Sequence, residues 1–410
     1  MSSIKPSSMP PFSFSCASAL QQSTAMSPTS HNQFHRVTTT ILRCGQLFGA
    51  APFPFPLWTH SRWHRPAQRK KTIDTVLRTA QLVWKVCLAA VYCWCLLLWK
   101  SLPLPPTATV FSNILENLNH VLRAMILVAI LGLGRYLNGK FAGVLMQLGT
   151  IGHLLEQHGF RMDFRRLGRE HKLILVTMLV LNAVEVSFYY AADDGWTVLS
   201  VLGAFYLPYW ITLLRITQYW HTAGMIQQIL QRINRMIKSA NESENKELLQ
   251  VAHCLISQIF NLINQTVDSF GFELLTMTLS GILSISLAFY DAHFLYFLEV
   301  FGQRDYCLVV GYITWSTIHF YLLGLTLAPQ SRVKAQVLRK IALNVVELGE
   351  RQHQVTVRAI SQLFRLNDSK HLTWGFVELD LQLFASIISL VAANMLLLIQ
   401  LKSGVDSKVG

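Results

Sequence analysis

The sequence predicts an all-α membrane protein: a seven-transmembrane helix bundle with its N-terminus cytosolic and its C-terminus extracellular. Three observations carry this. Of 410 residues, 52% are hydrophobic and only 14% charged, with a mean hydropathy of +0.35, whereas soluble domains carry about 25% charged residues. Seven stretches are apolar over about 20 residues each, the length a helix needs to cross a bilayer. The segments joining them alternate in basic charge. Lys and Arg number nine before Ala80, six between Gly139 and Lys172, four between Trp220 and Phe270, and eight between Pro329 and Asp380. The intervening segments hold only Lys100, nothing at Asp193-Asp194, and Arg304. Basic segments stay inside, which sets the orientation and opposes that of a G-protein-coupled receptor.

Residues 1–79 read as a cytosolic N-terminal segment, disordered to about 40, because Ser, Pro, Thr and Gln dominate without periodicity. No apolar core follows a basic start within the first thirty residues, so no cleavable signal peptide is expected. Residues 80–328 hold a six-span bundle. Span one, 80–99, follows the basic run Arg62, Arg65, Arg69, Lys70, Lys71 and Arg78; Lys85 lies where it can snorkel back, and Pro103, Pro105 and Pro106 close the helix. Span two is 118–137, with Arg123 read as near enough to the cytosolic end to snorkel. Spans three (173–192) and four (196–216) form a hairpin through Asp193-Asp194-Gly195, and Pro208 is expected to kink span four. In 220–270, Ile226, Ile229, Ile233 and Ile237 repeat at helical spacing beside Gln and Arg, which predicts a helix extending span four or packing on neighbours. Spans five (272–294) and six (306–327) follow. Residues 329–380 read as cytosolic amphipathic anchor helices, 381–402 as a pore-lining seventh span and 403–410 as a short extracellular tail.

Several functions are excluded. The net charge of +13 is spread through short segments between apolar runs, so it marks topology and not a nucleic-acid surface. No His-Glu-x-x-His, Gly-x-Ser-x-Gly, P-loop or dinucleotide pattern occurs. The seven cysteines have no metal spacing and read as small apolar packing residues. Neither enzyme activity, a cofactor nor a metal is expected. Three glycosylation triplets, Asn241-Glu-Ser243, Asn264-Gln-Thr266 and Asn367-Asp-Ser369, fall in segments read as cytosolic and are taken as chance matches.

Two groups of residues point to function. Span seven has no charge, and Gln382, Ser386, Ser389 and Gln400, with Ala393 and Leu397 between, form one stripe at 100° per residue. Hydrocarbon does not tolerate unpaired amides and hydroxyls, so the stripe faces protein or water. Stripe chemistry alone favours helix packing, with a pore lining as the sharper reading. The second group is intramembrane and ionisable. Glu185 lies about two thirds of the way outward along span three and cannot easily escape. Asp291 and His293 sit in the outer half of span five and His319 nearer the middle of span six, and Tyr189, Tyr190, Tyr290, Tyr312 and Trp315 lie on the same three spans. Aromatics at this depth commonly form an interfacial belt. Together with Glu185, Asp291 and His319 they make a candidate outer pocket for a small amphipathic or cationic ligand, through hydrogen bonds and cation–π contacts.

Gly375-Phe-Val-Glu-Leu-Asp380, then Met395-Leu-Leu-Leu-Ile-Gln400-Leu401, resembles the C-terminal signature of insect gustatory receptors: a glycine-containing approach, Thr-Tyr, five hydrophobic residues and Gln-Phe. Ala393-Asn394 stands in place of Thr-Tyr, and Leu401 in place of Phe. Leu42-Arg-Cys-Gly-Gln-Leu-Phe-Gly49-Ala-Ala-Pro52-Phe53 is similar to the family's leader before span one, so the likeness covers residues 40 to 402. The resemblance implies a ligand-gated non-selective cation channel subunit in the plasma membrane of sensory neurons, opened by a small-molecule tastant bound in the outer bundle. It implies a homo- or heterotetramer of related subunits in membrane lipid, with span seven around the path of permeant cations. Gln382, Ser386, Ser389 and Ala393 would line that path, with Leu397, Gln400 and Leu401 at its gate. The other classes open to a polytopic chain are a metabotropic seven-span receptor and a secondary transporter. The first predicts an external N-terminus; the second predicts internal repeats, and none is visible here.

Overall fold

The computed structural model describes residues 28–51, 67–101, 110–132, 134–192, 202–243, 245–296 and 302–331, with 333, 341, 382–383, 385–393, 396–397 and 400. Regular structure among them is helical throughout: α1 (Pro28–Leu47), α2 (Ala67–Ser101), α3 (Val110–Leu127), α4 (Gly134–Gln157), α5 (Phe164–Ala192), α6 (Leu207–Glu242), α7 (Lys246–Tyr296) and α8 (Gln303–Ser331). Five segments of the described residues are long and apolar enough to cross a membrane: Thr79–Ser101, Asn113–Gly132, Phe164–Phe188, Lys246–His293 and Arg304–Pro329.

The long α7 is the hub, packing against α8, α6, α3 and α4. Helix α8 in turn packs on α5 and α6. Buried Ile226, Ile229, Ile233 and Ile237 continue the α6 stripe well beyond the expected end of span four, so span and polar extension are one helix. The facing half of α7 supplies Leu249, Leu255, Ile256, Ile259 and Ile263 to the same core. Asn245 starts α7, its Oδ1 accepting the Leu248 N–H at 3.1 Å.

Helix α4 lies in a stretch read from the sequence only as a basic connection. Phe141, Val144, Leu145, Leu148, Ile151 and Leu155 are all buried, at spacings of three and four. It ends at Gly159, whose φ of 88° allows Phe160 N–H to reach the Leu155 carbonyl at 2.9 Å.

Helix α1 begins at Pro28, within the stretch whose composition suggests disorder to about 40. Thr38, Ile41 and Leu42 are buried where α1 packs on α5 and α6, and this contact supplies the order that composition alone does not suggest. Gly49, at φ 69°, ends α1: Ala50 N–H donates to the Gly45 carbonyl at 2.7 Å and Gly49 N–H to Gln46 at 3.1 Å. The leader then lies against α2. Trp84 Nε1 donates to the Leu47 carbonyl at 2.6 Å and Gln81 Nε2 to Ala51 at 2.8 Å.

Two further expectations change. Lys85 does not snorkel: it is buried and donates to the Leu131 carbonyl at 3.2 Å, at the end of a π-helical turn, Val128–Gly132. Pro208 does not sit mid-helix. A second π turn, Leu202–Tyr206, precedes it, so its missing N–H falls in the first turn of α6, where none is needed.

Residues 1–27, the 193–201 hairpin turn, most of the anchor region 329–380, Leu401 and the tail lie outside the described residues.

Candidate functional site: a cavity in the helix bundle

Helices α3, α6, α7 and α8 enclose a cavity of about 40 Å³, room for a few waters. Its wall is apolar from Ile126, Ile216, Met277, Leu322 and Leu323, and polar from Arg123, Thr212, Ser280, His319 and Thr326. Pro208, Tyr209, Gly281 and Trp315 complete it.

Trp315 is the centre of an aromatic cluster. Its ring centroid lies 4.3 Å from His319, 5.7 Å from Tyr206, 5.8 Å from Tyr209 and 6.4 Å from Phe205. One turn apart on α8, His319 and Trp315 share a hydrogen bond of 3.0 Å between His319 Nδ1 and the Trp315 carbonyl, which fixes the imidazole plane.

Arg123 does not snorkel either. It is 6% exposed, and its guanidinium carbon sits 4.8 Å from the Phe205 centroid and 5.6 Å from Trp315. Its neighbours belong to the end of the bundle holding Trp315, not the end where Lys85 meets the leader. A net of neutral groups holds it. Arg123 Nη2 and Asn119 Nδ2 donate to Ser284 Oγ at 3.0 and 2.9 Å, and Ser280 Oγ donates to Asn119 Oδ1 at 2.7 Å. Asn119 and Arg123 are four apart on α3, as are Ser280 and Ser284 on α7, so two helical faces meet in register.

Of the residues expected at an outer pocket, Trp315 and His319 line the cavity. Glu185 is 1% exposed and within electrostatic reach of Arg123, yet not on the wall. Tyr290 is buried elsewhere in α7, Asp291 is half-buried, and Tyr312 packs beside Ala292, Leu295 and Val309. Tyr190 is 67% exposed, and the Tyr189 side chain lies outside what is described.

Sequence reasoning missed a second buried polar centre. Arg215 on α6 and Glu273 on α7, each 1% exposed, form an ion pair of 2.5 Å. Arg215 also donates to Gln218 Oε1 at 3.0 Å and lies 4.3 Å from the Phe270 centroid. Its sign in the sequence is one cation in the last turn of a predicted span and one anion in the first turn of the next. The leader closes over it: a Cβ on Gly45 would lie 2.3 Å from Gln218 Nε2, so a larger residue there must push the Gln218 amide aside.

In span seven, the described members of the polar stripe, Gln382, Ser386, Ser389, Ala393, Leu397 and Gln400, are all exposed on this chain. Ile387 and Val391 are buried against the core. Ser386 and Ser389 donate back to the Gln382 and Ala385 carbonyls at 3.1 and 3.2 Å.

The model of the family described as 7tm Chemosensory receptor matches residues 39–403. The chain belongs to that family. Two solved structures of insect olfactory receptor OR5 from Machilis hrabei share the receptor's fold. The one in complex with eugenol is 12% identical with a TM-score of 0.63, covering 90% of this chain and 99% of that one. The other is also 12% identical, with a TM-score of 0.58 and coverages of 91% and 100%. No curated protein sequence matches the receptor.

Proposed function

We propose that the receptor is a gustatory-type subunit of a ligand-gated, non-selective cation channel. In this reading it assembles as a homo- or heterotetramer in the plasma membrane of sensory neurons, N-terminus inside, with span seven around the conduit. One observation carries it: among the described residues of this stretch, Leu383, Ile387 and Val391 pack on the core, while the polar stripe Gln382, Ser386, Ser389, Ala393, Leu397 and Gln400 is exposed. Lipid does not stabilise such a stripe, whereas an axis shared by several copies gives it water and ions. Exposed Ile388, Leu390 and Leu396 on the remaining surface suit lipid or neighbouring subunits. Leu397, Gln400 and Leu401 then form the gate, apolar side chains closing by dewetting.

The cavity around Trp315 is the ligand site in this scheme. A tastant larger than a few heavy atoms must displace wall side chains, and it acts by stabilising the arrangement in which they have moved. The gustatory assignment rests on the C-terminal signature, with Gln400 in place and Ala393-Asn394 and Leu401 departing from it.

The test is whole-cell recording from cells expressing the receptor, alone and with related subunits, challenged with sugars, bitter compounds, carbon dioxide and volatile odorants. Cation currents evoked by a tastant support the proposal. Second-messenger responses without receptor-borne current, or an N-terminal tag accessible on intact cells, point to a metabotropic receptor instead.

A further inference from the structure

The cavity is charged on one side only. Of its fourteen wall residues, Arg123 is the one permanent cation and none is acidic. A guanidinium has no neutral form within reach, so its charge persists in the apolar wall. Arg123 is 6% exposed, and its Nη1 has no hydrogen-bond partner. Every hydrogen bond of the net that holds it ends on a neutral side chain: Ser284 Oγ accepts from both Nη2 and Asn119, and Ser280 closes on Asn119. Among the described residues no carboxylate lies within 4.0 Å of Arg123; Glu116 and Glu185 interact with it only at longer range, and neither is on the cavity wall. The protein thus orients this cation without a carboxylate in direct contact and leaves both N–H groups of Nη1 without an acceptor.

From this geometry we propose that the cavity recognises a small organic carboxylate with an apolar or aromatic body. The carboxylate accepts from Arg123 Nη1, exchanging its water for a charge-assisted hydrogen bond in a low-dielectric site. The body is larger than the resting cavity of about 40 Å³, so it enters by displacing wall side chains and lies against Trp315, Tyr209, Met277 and Leu323. A cationic ligand, the alternative suggested by the aromatic residues alone, meets Arg123 head-on and is rejected by like charge. The inference deepens the proposed ligand-gated reading by naming the chemical class, and it is tested through binding so that it does not depend on gating.

The experiment is thermal stabilisation of the full-length receptor, purified in detergent, by matched probes: hexanoate, benzoate and phenylacetate against phenylacetamide, 2-phenylethanol and 2-phenylethylamine. Ligand that binds only the folded state raises the melting temperature. At least one carboxylate is expected to stabilise the receptor, its amide or alcohol analogue roughly 10- to 100-fold less potently and the amine not at all, the ratio a charge-assisted hydrogen bond supplies. Arg123→Gln should abolish the preference for the acid over its amide, and Arg123→Lys should keep part of it. Met277→Trp, which fills the cavity from α7 and replaces no residue of the Arg123 net, should remove binding even if Arg123→Gln fails to fold. No shift with any carboxylate, equal shifts for acid and amide, or a preference for the amine overturns the inference. Acid binding without ligand-evoked current would leave this inference standing and count against the channel; currents from neutral ligands, indifferent to Arg123→Gln, would do the reverse.

Discussion

Glu273→Gln should be among the most damaging single substitutions in the receptor, worse than Arg215→Gln. The pair is 1% exposed on both sides, and glutamine keeps the shape while removing the charge. What remains is a buried guanidinium that cannot lose its proton, held between Phe270 at 4.3 Å and Phe141 at 5.6 Å. Lys85 is a second cation within electrostatic reach. Breaking a buried pair from one side costs about 3–5 kcal/mol. A lone buried carboxylate is relieved by taking up a proton, so Arg215→Gln should cost less. The double change Arg215→Met with Glu273→Met leaves no buried charge at the site and should recover most of the loss. In a detergent thermal-stability assay read by fluorescence size exclusion, Glu273→Gln is expected to lower the melting temperature by roughly 3–6 °C. The reasoning fails if Glu273→Gln is as stable as the parent, or if the double variant is no better than the worse single one.

Gly45→Val should loosen the leader, because its Cβ falls on Gln218 Nε2 at 2.3 Å and Ala51 Cβ at 3.0 Å, and Gln218 is held by Arg215. A cost of about 1–3 kcal/mol is expected, with faster limited proteolysis near α1 as the readout. Trp315→Ala empties the centre of the aromatic cluster and should cost about 3–5 kcal/mol in the same thermal assay. Trp315→Phe should cost visibly less. His221 lies outside the spans and is buried with no partner for either ring nitrogen; burial first, then the nearby His171, push its pKa down to about 3. The unfolded chain then binds a proton that the folded one refuses. Stability from this group is complete above about pH 6.5 and falls as pH drops toward 3. His221→Phe should flatten thermal stability across that window, and an unchanged slope would show that other groups set it.

The helical class and the apolar spans were legible because about 20 apolar residues between basic segments leave few other folds open. The isoleucine stripe of α6 was legible for the same reason that α4 should have been: Phe141, Leu145, Leu148 and Leu155 repeat at helical spacing, beneath a surface of basic charge that drew attention first. Order in α1 was not legible, since it comes from packing on α5 and α6. Within the site, depth and residue type point to Trp315 and His319, whereas the place of Arg123 near a span end suggests snorkelling. Snorkelling depends on which way a side chain leaves its helix, and position along a span does not give that. Here Ser284, itself held by Asn119, accepts from the guanidinium and draws it inward. Pairing across distant elements, as between Arg215 and Glu273, has no local signature, so each partner alone read as unremarkable.

The central claim is that the exposed stripe of span seven borders the ion path, and thiol accessibility measured during current recording tests it most directly. Cysteine is placed singly at Ser386 and Ser389 on the stripe and at Val391 on the buried face, and a membrane-impermeant charged thiol reagent is applied while ligand holds the channel open. The account predicts that current through Ser386→Cys and Ser389→Cys channels is blocked or altered, with Val391→Cys unaffected. Reagent-insensitive current at both stripe positions, or modification of Val391→Cys alone, would contradict it.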